Sequence, residues 1–102
     1  MFYTYMLRCT DGTIYTGMTN NLEKRIDEHL SRKGAKYTKS HQAEKLEIAW
    51  RSKDKPLACK LEYHIKQLTK QQKEDLINGT KLSVYLKGKI DSRRYRRIEE
   101  SK

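Results

Sequence analysis

Five side chains of the types that transfer protons or bind ions are spread through the sequence: Tyr5, Tyr15, Arg25, His29 and Glu62. An imidazole changes its charge close to neutral pH, and a guanidinium binds anionic oxygens. A carboxylate can hold a hard cation through its oxygens. Whether these groups can act together depends on the strands and helices that carry them.

The hydrophobic pattern predicts three strands and three helices in the order ββαβαα. The predicted strands are 2–9, 13–18 and 45–51, and the helices run from about residue 20 to Gly34, from Asp54, and from Thr69 to Asn78. The strands are rich in aromatic and β-branched residues, whereas the helices have apolar residues three and four apart. This order predicts an α+β domain with a small three-stranded, mainly antiparallel sheet flanked by helices.

The turn between the first two strands decides whether the two tyrosines share a face. A two-residue loop at Asp11-Gly12 would place Tyr5 and Tyr15 on opposite faces of the sheet. A three-residue loop with Gly12 in the left-handed region would place both on one face. Either loop accepts the Asp-Gly sequence. We favour the longer loop because it sets Gly17 opposite Tyr5, where no side chain crowds the ring. The alternative is a bend at Gly17 with two ordinary core aromatics.

The first helix places its two polar candidates beside its apolar stripe. We expect Asn20 to be its N-cap, with Glu23 as the capping-box partner, although Thr19 could also cap it. Arg25 and His29 lie four residues apart at one border of the stripe formed by Leu22, Ile26 and Leu30. They would therefore emerge beside the sheet. The same spacing also fits an ordinary exposed helical face.

The second helix carries one acidic residue at the border of its apolar stripe. Glu62 lies just beyond the edge that Ala58 marks. It could form an ion pair with Lys66 one turn later, which would stabilise the helix slightly. As a lone carboxylate at the edge of the domain, it could instead hold a hard cation.

Composition indicates a polyanionic partner. The 102 residues include 23 Lys plus Arg against 13 Asp plus Glu, which gives a net charge of +10. Cations that neutralise phosphates release condensed counterions, so nucleic acid is the leading candidate, ahead of an acidic membrane surface or a role in solubility. Half of the excess charge lies in residues 80–102, which we predict to be a basic tail, partly helical or disordered, after a domain at 1–79.

Seven cations in the central loop and in the tail are candidates for contacts to a nucleic-acid backbone. They are Lys33, Lys36, Lys39, Arg93, Arg94, Arg96 and Arg97. A solvated terminus is the alternative for the tail. No apolar run approaches the roughly 20 residues of a membrane span, and no signal-peptide pattern is present. Together with two cysteines that lack disulfide or zinc spacing, this predicts a cytoplasmic protein without a membrane partner.

The ordered set of motifs resembles the GIY-YIG nuclease domain. The resemblance runs from Phe2 to about Leu76 and is carried by Tyr5, by Tyr15-Thr16-Gly17, and by the arginine, histidine and glutamate described above. The stretch KGAKYTK at 33–39 resembles the small stand-alone bacterial members in particular. Two motifs depart from the family pattern, because Tyr3-Thr4-Tyr5 replaces Gly-Ile-Tyr and Tyr-Thr-Gly replaces Tyr-Ile-Gly.

The resemblance implies metal-dependent cleavage of a DNA phosphodiester with one Mg²⁺ or Mn²⁺ on Glu62. Arg25 would stabilise the charge of the transition state, and Tyr5 would orient the attacking water beside Tyr15 or His29. The general base is either Tyr5 or His29. Asn78 is the candidate for the asparagine that family members often use. The DNA could be branched or single-stranded, and RNA is not excluded.

Two other functions remain open at this stage. A domain of the same fold could bind nucleic acid without cutting it, or the chain could be a subunit that cuts only with a protein partner. The sequence does not predict an oligomeric state.

Overall fold

A computed structural model describes residues 1–31 and 42–98. The strands are β1 (Phe2–Cys9), β2 (Ile14–Thr19), β3 (Ala43–Ser52) and β4 (Arg96–Ile98). The helices are α1 (Leu22–Leu30), α2 (Lys55–Lys66), α3 (Lys70–Ile77) and α4 (Leu82–Leu86), and a 3₁₀ turn covers Ser92–Arg94. None of the described helices is long and apolar enough to cross a membrane.

The strands form one antiparallel sheet in the order β2-β1-β3-β4. The α+β class is confirmed, but the predicted three-stranded sheet was one strand short. Strand β4 pairs with β3 at the edge away from β2. The hydrophobic pattern did not predict β4, because three residues, two of them arginines, are too few to show an alternating pattern.

Helices cover both faces of the sheet because successive side chains of a strand point to opposite sides. On one face, α1 packs against a small core that contains Tyr5, Leu7 and Ala49. On the other face, α2, α3 and α4 cover a larger core around Met6, Ile48 and Trp50. The side on which α1 lies is called the α1 face below.

The C-terminal segment packs against this larger core. Leu82, Leu86 and Tyr95 are buried in it, and the Tyr95 hydroxyl donates a hydrogen bond to the Leu57 carbonyl at 2.7 Å. Residues on both sides of the predicted division at residue 79 therefore pack in the same core. Residues 99–102 lie outside the described residues. A truncation at residue 79 would remove three core side chains, so it cannot serve to test what the basic residues bind.

The loop between β1 and β2 is the three-residue loop that the sequence analysis favoured. Gly12 has a φ of 88°, which is in the left-handed region. The Cys9 N–H donates to the Thr13 carbonyl at 2.9 Å and closes the loop. A β-branched or bulky residue at Gly12 would be strained in this conformation.

The predicted starts of α2 and α3 are confirmed, but the predicted cap of α1 is not. Asp54 caps α2, and Thr69 with Gln72 forms a complete capping box on α3. The predicted box of Asn20 and Glu23 was wrong, because Asn21 is the N-cap of α1 and accepts from the Lys24 N–H at 3.1 Å. Strand β2 continues to Thr19, which moves the start of the helix one residue along the chain.

One arginine joins the sheet to α3. The Arg8 guanidinium donates to both Glu74 carboxylate oxygens at 2.6 Å and to Glu47 at 2.9 Å. These bonds connect β1 with β3 and α3. The bidentate contact with Arg8 lowers the pKa of Glu74 to about 2.

The variant Arg8→Met should lower the free energy of unfolding by about 1–3 kcal/mol, because Glu47 and Glu74, both partly buried, lose their hydrogen bonds to the guanidinium and Glu74 retains its 3.4 Å ion pair with Lys70. Urea unfolding at pH 7 measures this. Arg93→Met is the matched control, since Arg93 bonds Asp91 at an exposed site and its loss should change stability little. The stabilisation through Glu74 is complete above pH 4.5 and is lost as the pH falls toward 2, so the difference between wild type and Arg8→Met should narrow at pH 3. Equal stabilities of the two variants at pH 7 would contradict this role.

Candidate active site

Tyr5 and Tyr15 lie side by side on the α1 face. The register of β1 and β2 pairs Tyr5 with Gly17 and Leu7 with Tyr15, so the tyrosines are diagonal neighbours. Their ring centroids are 6.3 Å apart. The predicted register is confirmed.

His29 from α1 completes a group of three rings. Its imidazole centroid lies 5.9 Å from the Tyr5 ring and 5.3 Å from the Tyr15 ring. The Tyr5 hydroxyl oxygen is 3.2 Å from His29 Nε2, which is within hydrogen-bond distance. We call Tyr5, Tyr15 and His29 the ring cluster. Its Tyr5 ring is buried, whereas Tyr15 is exposed at the surface.

Gly17 makes room for the ring cluster. A Cβ at this position would lie 2.6 Å from the Tyr5 hydroxyl oxygen and 2.7 Å from Tyr5 Cζ. It would also lie 3.0 Å from the Tyr15 ring. Glycine is therefore required here by close approach, as the sequence analysis expected. The absence of a side chain lets the Tyr5 hydroxyl lie against the edge strand β2.

The surroundings of His29 favour its neutral form. Burial lowers the pKa of His29 below its usual 6.5, and the positive charge of Arg25 lowers it further. At neutral pH the imidazole is therefore uncharged. A neutral imidazole with its proton on Nδ1 can accept a hydrogen bond from the Tyr5 hydroxyl.

His29 should titrate below pH 6.5 in the folded protein, as measured from its imidazole proton resonances by NMR. The pKa of His29 is near 6.5 in the unfolded chain and lower in the folded chain, so protonation favours unfolding. The stabilisation linked to His29 is therefore complete above pH 6.5. It is lost as the pH falls from 6.5 toward the lower folded pKa. The variant Arg25→Gln should move the midpoint back toward 6.5. A midpoint at or above 6.5 in the wild type would contradict this environment.

Arg25 lies at the rim of the ring cluster. It is on α1, one turn before His29, and its side chain is about half exposed. Its Nε is 3.5 Å from a Glu28 carboxylate oxygen. Exposed ion pairs of this kind contribute little, so the guanidinium can exchange this partner for another anion.

Glu62 is on a different side of the sheet. It belongs to α2, which packs on β1 and β2 across the sheet from α1. Its carboxylate is 3.1 Å from Lys66 Nζ, and its side chain is 23% exposed. Within residues 1–31 and 42–98, no group of three or more His, Cys, Asp or Glu side chains could hold a metal ion. Any ion on Glu62 would therefore need water or substrate for its other ligands.

The predicted nucleic-acid contacts differ in their surroundings. Lys33, Lys36 and Lys39 lie outside the described residues. Arg93 bonds Asp91, and Arg97 donates to the carbonyls at the end of α3 at 2.9 and 3.1 Å. This gives Arg97 a structural role that the sequence analysis did not predict.

Two other candidates in this part of the chain are exposed. Arg94 and Arg96 are both exposed. Asn78 is the exposed C-cap of α3.

Most of the chain matches a known protein family. The family model described as the GIY-YIG catalytic domain matches residues 1–75. The chain belongs to the GIY-YIG family. The match includes the ring cluster, Gly17, Arg25 and Glu62, so the chain is a member of a nuclease domain family.

Similar GIY-YIG relatives are small bacterial proteins. A UPF0213 protein of Fusobacterium nucleatum is 51% identical over 77 residues, which cover 76% of this chain and 77% of the relative. A UPF0213 protein of Halalkalibacterium halodurans is 40% identical over 80% of this chain and 96% of its own length. A solution NMR structure of the UPF0213 protein BH0048 from Bacillus halodurans superimposes on this chain with a TM-score of 0.50. The two sequences are 40% identical, and the match covers 76% of this chain and 84% of that chain.

Proposed function

We propose that this GIY-YIG protein is a metal-dependent endonuclease that hydrolyses DNA phosphodiesters. The observation that carries the proposal is the contact between the Tyr5 hydroxyl and His29 Nε2, in a cluster where His29 is kept neutral. A phenol and a neutral imidazole at 3.2 Å form a chain along which a proton can move.

His29 is the proton acceptor in this proposal. A phenol with a pKa near 10 is ionised only about one part in a thousand at neutral pH, so Tyr5 alone is a poor base. An imidazole with a pKa below 6.5 is available without prior deprotonation. Tyr5 then orients the attacking water, donates its phenolic proton to His29 Nε2 and accepts the proton of the water in return. Tyr15 limits the position of the imidazole.

Arg25 neutralises charge on the phosphate. It is four residues before His29, on the same side of α1, and is partly exposed. A guanidinium can bind two phosphate oxygens at once and stabilises the negative charge that grows during the reaction. Its ion pair with Glu28 is exposed and is easily replaced by a substrate phosphate.

Glu62 holds the metal ion in this proposal. Strand β2 is an edge strand of the sheet and carries Tyr15 of the ring cluster, and α2 lies against β1 and β2 from the other face. Glu62 is at the border of the buried stripe of α2, next to Ala58, and part of its carboxylate is exposed. One carboxylate with water and substrate phosphate fits the way proteins bind Mg²⁺ or Mn²⁺. When bound, such an ion polarises the scissile phosphate and stabilises the leaving oxygen.

DNA is the proposed substrate, in branched or single-stranded form, with RNA as an alternative. Arg94 and Arg96, together with the lysines of the central loop, would contact the backbone and add affinity without reading the sequence. A protein partner could supply further contacts. The free thiols of Cys9 and Cys59 suit the cytoplasm as the location.

The test is the purified protein against single-stranded, duplex and branched DNA, with Mg²⁺, with Mn²⁺ and with EDTA. The proposal expects cleavage of at least one substrate with metal and none with EDTA. Salt-dependent binding without cleavage under either metal would instead support the non-catalytic binding module. The net charge of +10 and the changed first motif favour that function as the second candidate.

A further inference from the structure

Two arginines lie directly opposite each other on neighbouring strands. Arg51 of β3 pairs with Arg96 of β4. Like charges in this position repel and destabilise a sheet. Within residues 1–31 and 42–98, neither side chain forms an ion pair or a hydrogen bond. An uncompensated pair of cations at a fixed spacing indicates a site for an anionic ligand.

The arginine pair is on the α1 face and continues onto Tyr3. Arg51 is two residues from Ala49, whose side chain belongs to the α1-face core, so both point to the same side. Tyr3 of β1 is the partner of Arg51 on the next strand. Tyr3, Arg51 and Arg96 therefore form a row across three strands, which we call the basic row.

An apolar groove lies beside the basic row. It has a volume of about 520 Å³, and Tyr3 lines it together with Leu22, Ile26, Leu46 and Ile98. This size is in the range of small-molecule sites. Three polar residues at the start of α1, Asn20, Asn21 and Glu23, line the rest of the groove. The groove suits a flat apolar ring, and the arginines suit the anion attached to it.

We propose that the basic row and its groove bind one unpaired nucleotide of a nucleic-acid strand. The base stacks on Tyr3 and the phosphate lies between Arg51 and Arg96. A base paired in a duplex shows only its edges, so only a single-stranded nucleotide can place its face on the tyrosine. The site requires a strand without a complement.

The position of Tyr3 connects this site with the ring cluster. Tyr3 and Tyr5 are on the same face of β1, about 7 Å apart along the strand. Tyr3 stands where the family motif has glycine, so it adds an aromatic ring at this position of the motif. The inference rests on the proposed function to this extent: the basic row would bind a single-stranded part of the substrate beside the ring cluster.

The test is fluorescence anisotropy with a labelled oligothymidylate and with a duplex of equal length, in EDTA and over a range of NaCl concentrations. Tyr3→Leu should weaken binding of the single strand about 5- to 100-fold without changing the salt slope, because stacking is lost and no phosphate contact is. Arg51→Gln should reduce that slope by about 0.7, the value for one phosphate contact on a single strand. Duplex binding should change less than twofold in Tyr3→Leu.

Two further variants separate loss of the site from loss of the fold. Arg96→Glu should replace the repulsion on Arg51 with an attraction, so its melting temperature should not fall while binding of the single strand is lost. Lys60→Gln is the control, because Lys60 is exposed on α2, across the sheet from the basic row, and its loss should leave affinity within twofold of wild type.

The outcomes also distinguish this inference from the proposed function. Wild-type affinity in Tyr3→Leu and Arg51→Gln would overturn the basic row as a site, even if Mg²⁺-dependent cleavage is observed. An equal loss of single-strand and duplex binding in Tyr3→Leu would overturn it as well. Loss of single-strand affinity in these variants, in a protein that cleaves nothing, would support the site and reject the nuclease.

Discussion

Replacing Glu62 with glutamine is expected to lower the rate of DNA cleavage at least about 100-fold, because several kcal/mol of transition-state stabilisation depend on the ion that this carboxylate would hold. An amide keeps the size of the side chain but lacks the negative charge that binds a hard cation. Single-turnover cleavage at saturating DNA and Mg²⁺ measures this effect. Affinity for DNA in EDTA should remain close to wild type.

Lys66→Gln is the matched control for Glu62→Gln. Both variants break the same ion pair between Glu62 and Lys66, but only one removes the carboxylate. Such an exposed i,i+4 pair contributes only a few tenths of a kcal/mol, so both variants should be almost as stable as the wild type. Equal cleavage rates in the two variants would show that Glu62 does not hold the ion. A rate that persists in Glu62→Gln with EDTA present would indicate a contaminating nuclease.

Gly17→Ala is expected to disrupt the ring cluster and to lower the free energy of unfolding by about 1–3 kcal/mol, the usual cost of overpacking. The added methyl group would lie 2.6 Å from the Tyr5 hydroxyl oxygen and 2.7 Å from Tyr5 Cζ. Tyr5 is buried and cannot swing away without moving its neighbours. The hydroxyl should therefore leave His29, and cleavage should slow even at temperatures where the variant is fully folded.

A double-mutant cycle with Tyr5→Leu tests the cause of the Gly17→Ala effect. The shorter leucine removes the atoms that the new methyl group would contact, so Gly17→Ala should cost much less in the Tyr5→Leu background. Urea unfolding of the four proteins gives the coupling energy. Equal costs in both backgrounds would mean that the close approach to Tyr5 does not explain the glycine. The NMR titration of His29 in Gly17→Ala would report directly on the lost contact.

Local patterns in the sequence determined much of the site. The Asp11-Gly12 sequence allowed two loop lengths, and Gly17 favoured the three-residue loop; the register of that loop places Tyr5, Tyr15 and Gly17 together. The four-residue spacing on α1 then brought His29 to the same side. These predictions succeeded because a strand repeats every two residues and a helix about every 3.6, so short spacings determine which side chains share a face.

The tertiary structure alone decided the features that depend on distant parts of the chain. Strand β4 forms by pairing with the edge of β3, and this pairing places Arg96 opposite Arg51. Arg97 of the same strand donates to a carbonyl at the end of α3. The lowered pKa of His29 depends on how deeply α1 packs on the sheet, and the partners of Arg8 come from β3 and α3. No spacing predicts these, because burial and pairing between distant segments are properties of the packed molecule and not of any local repeat.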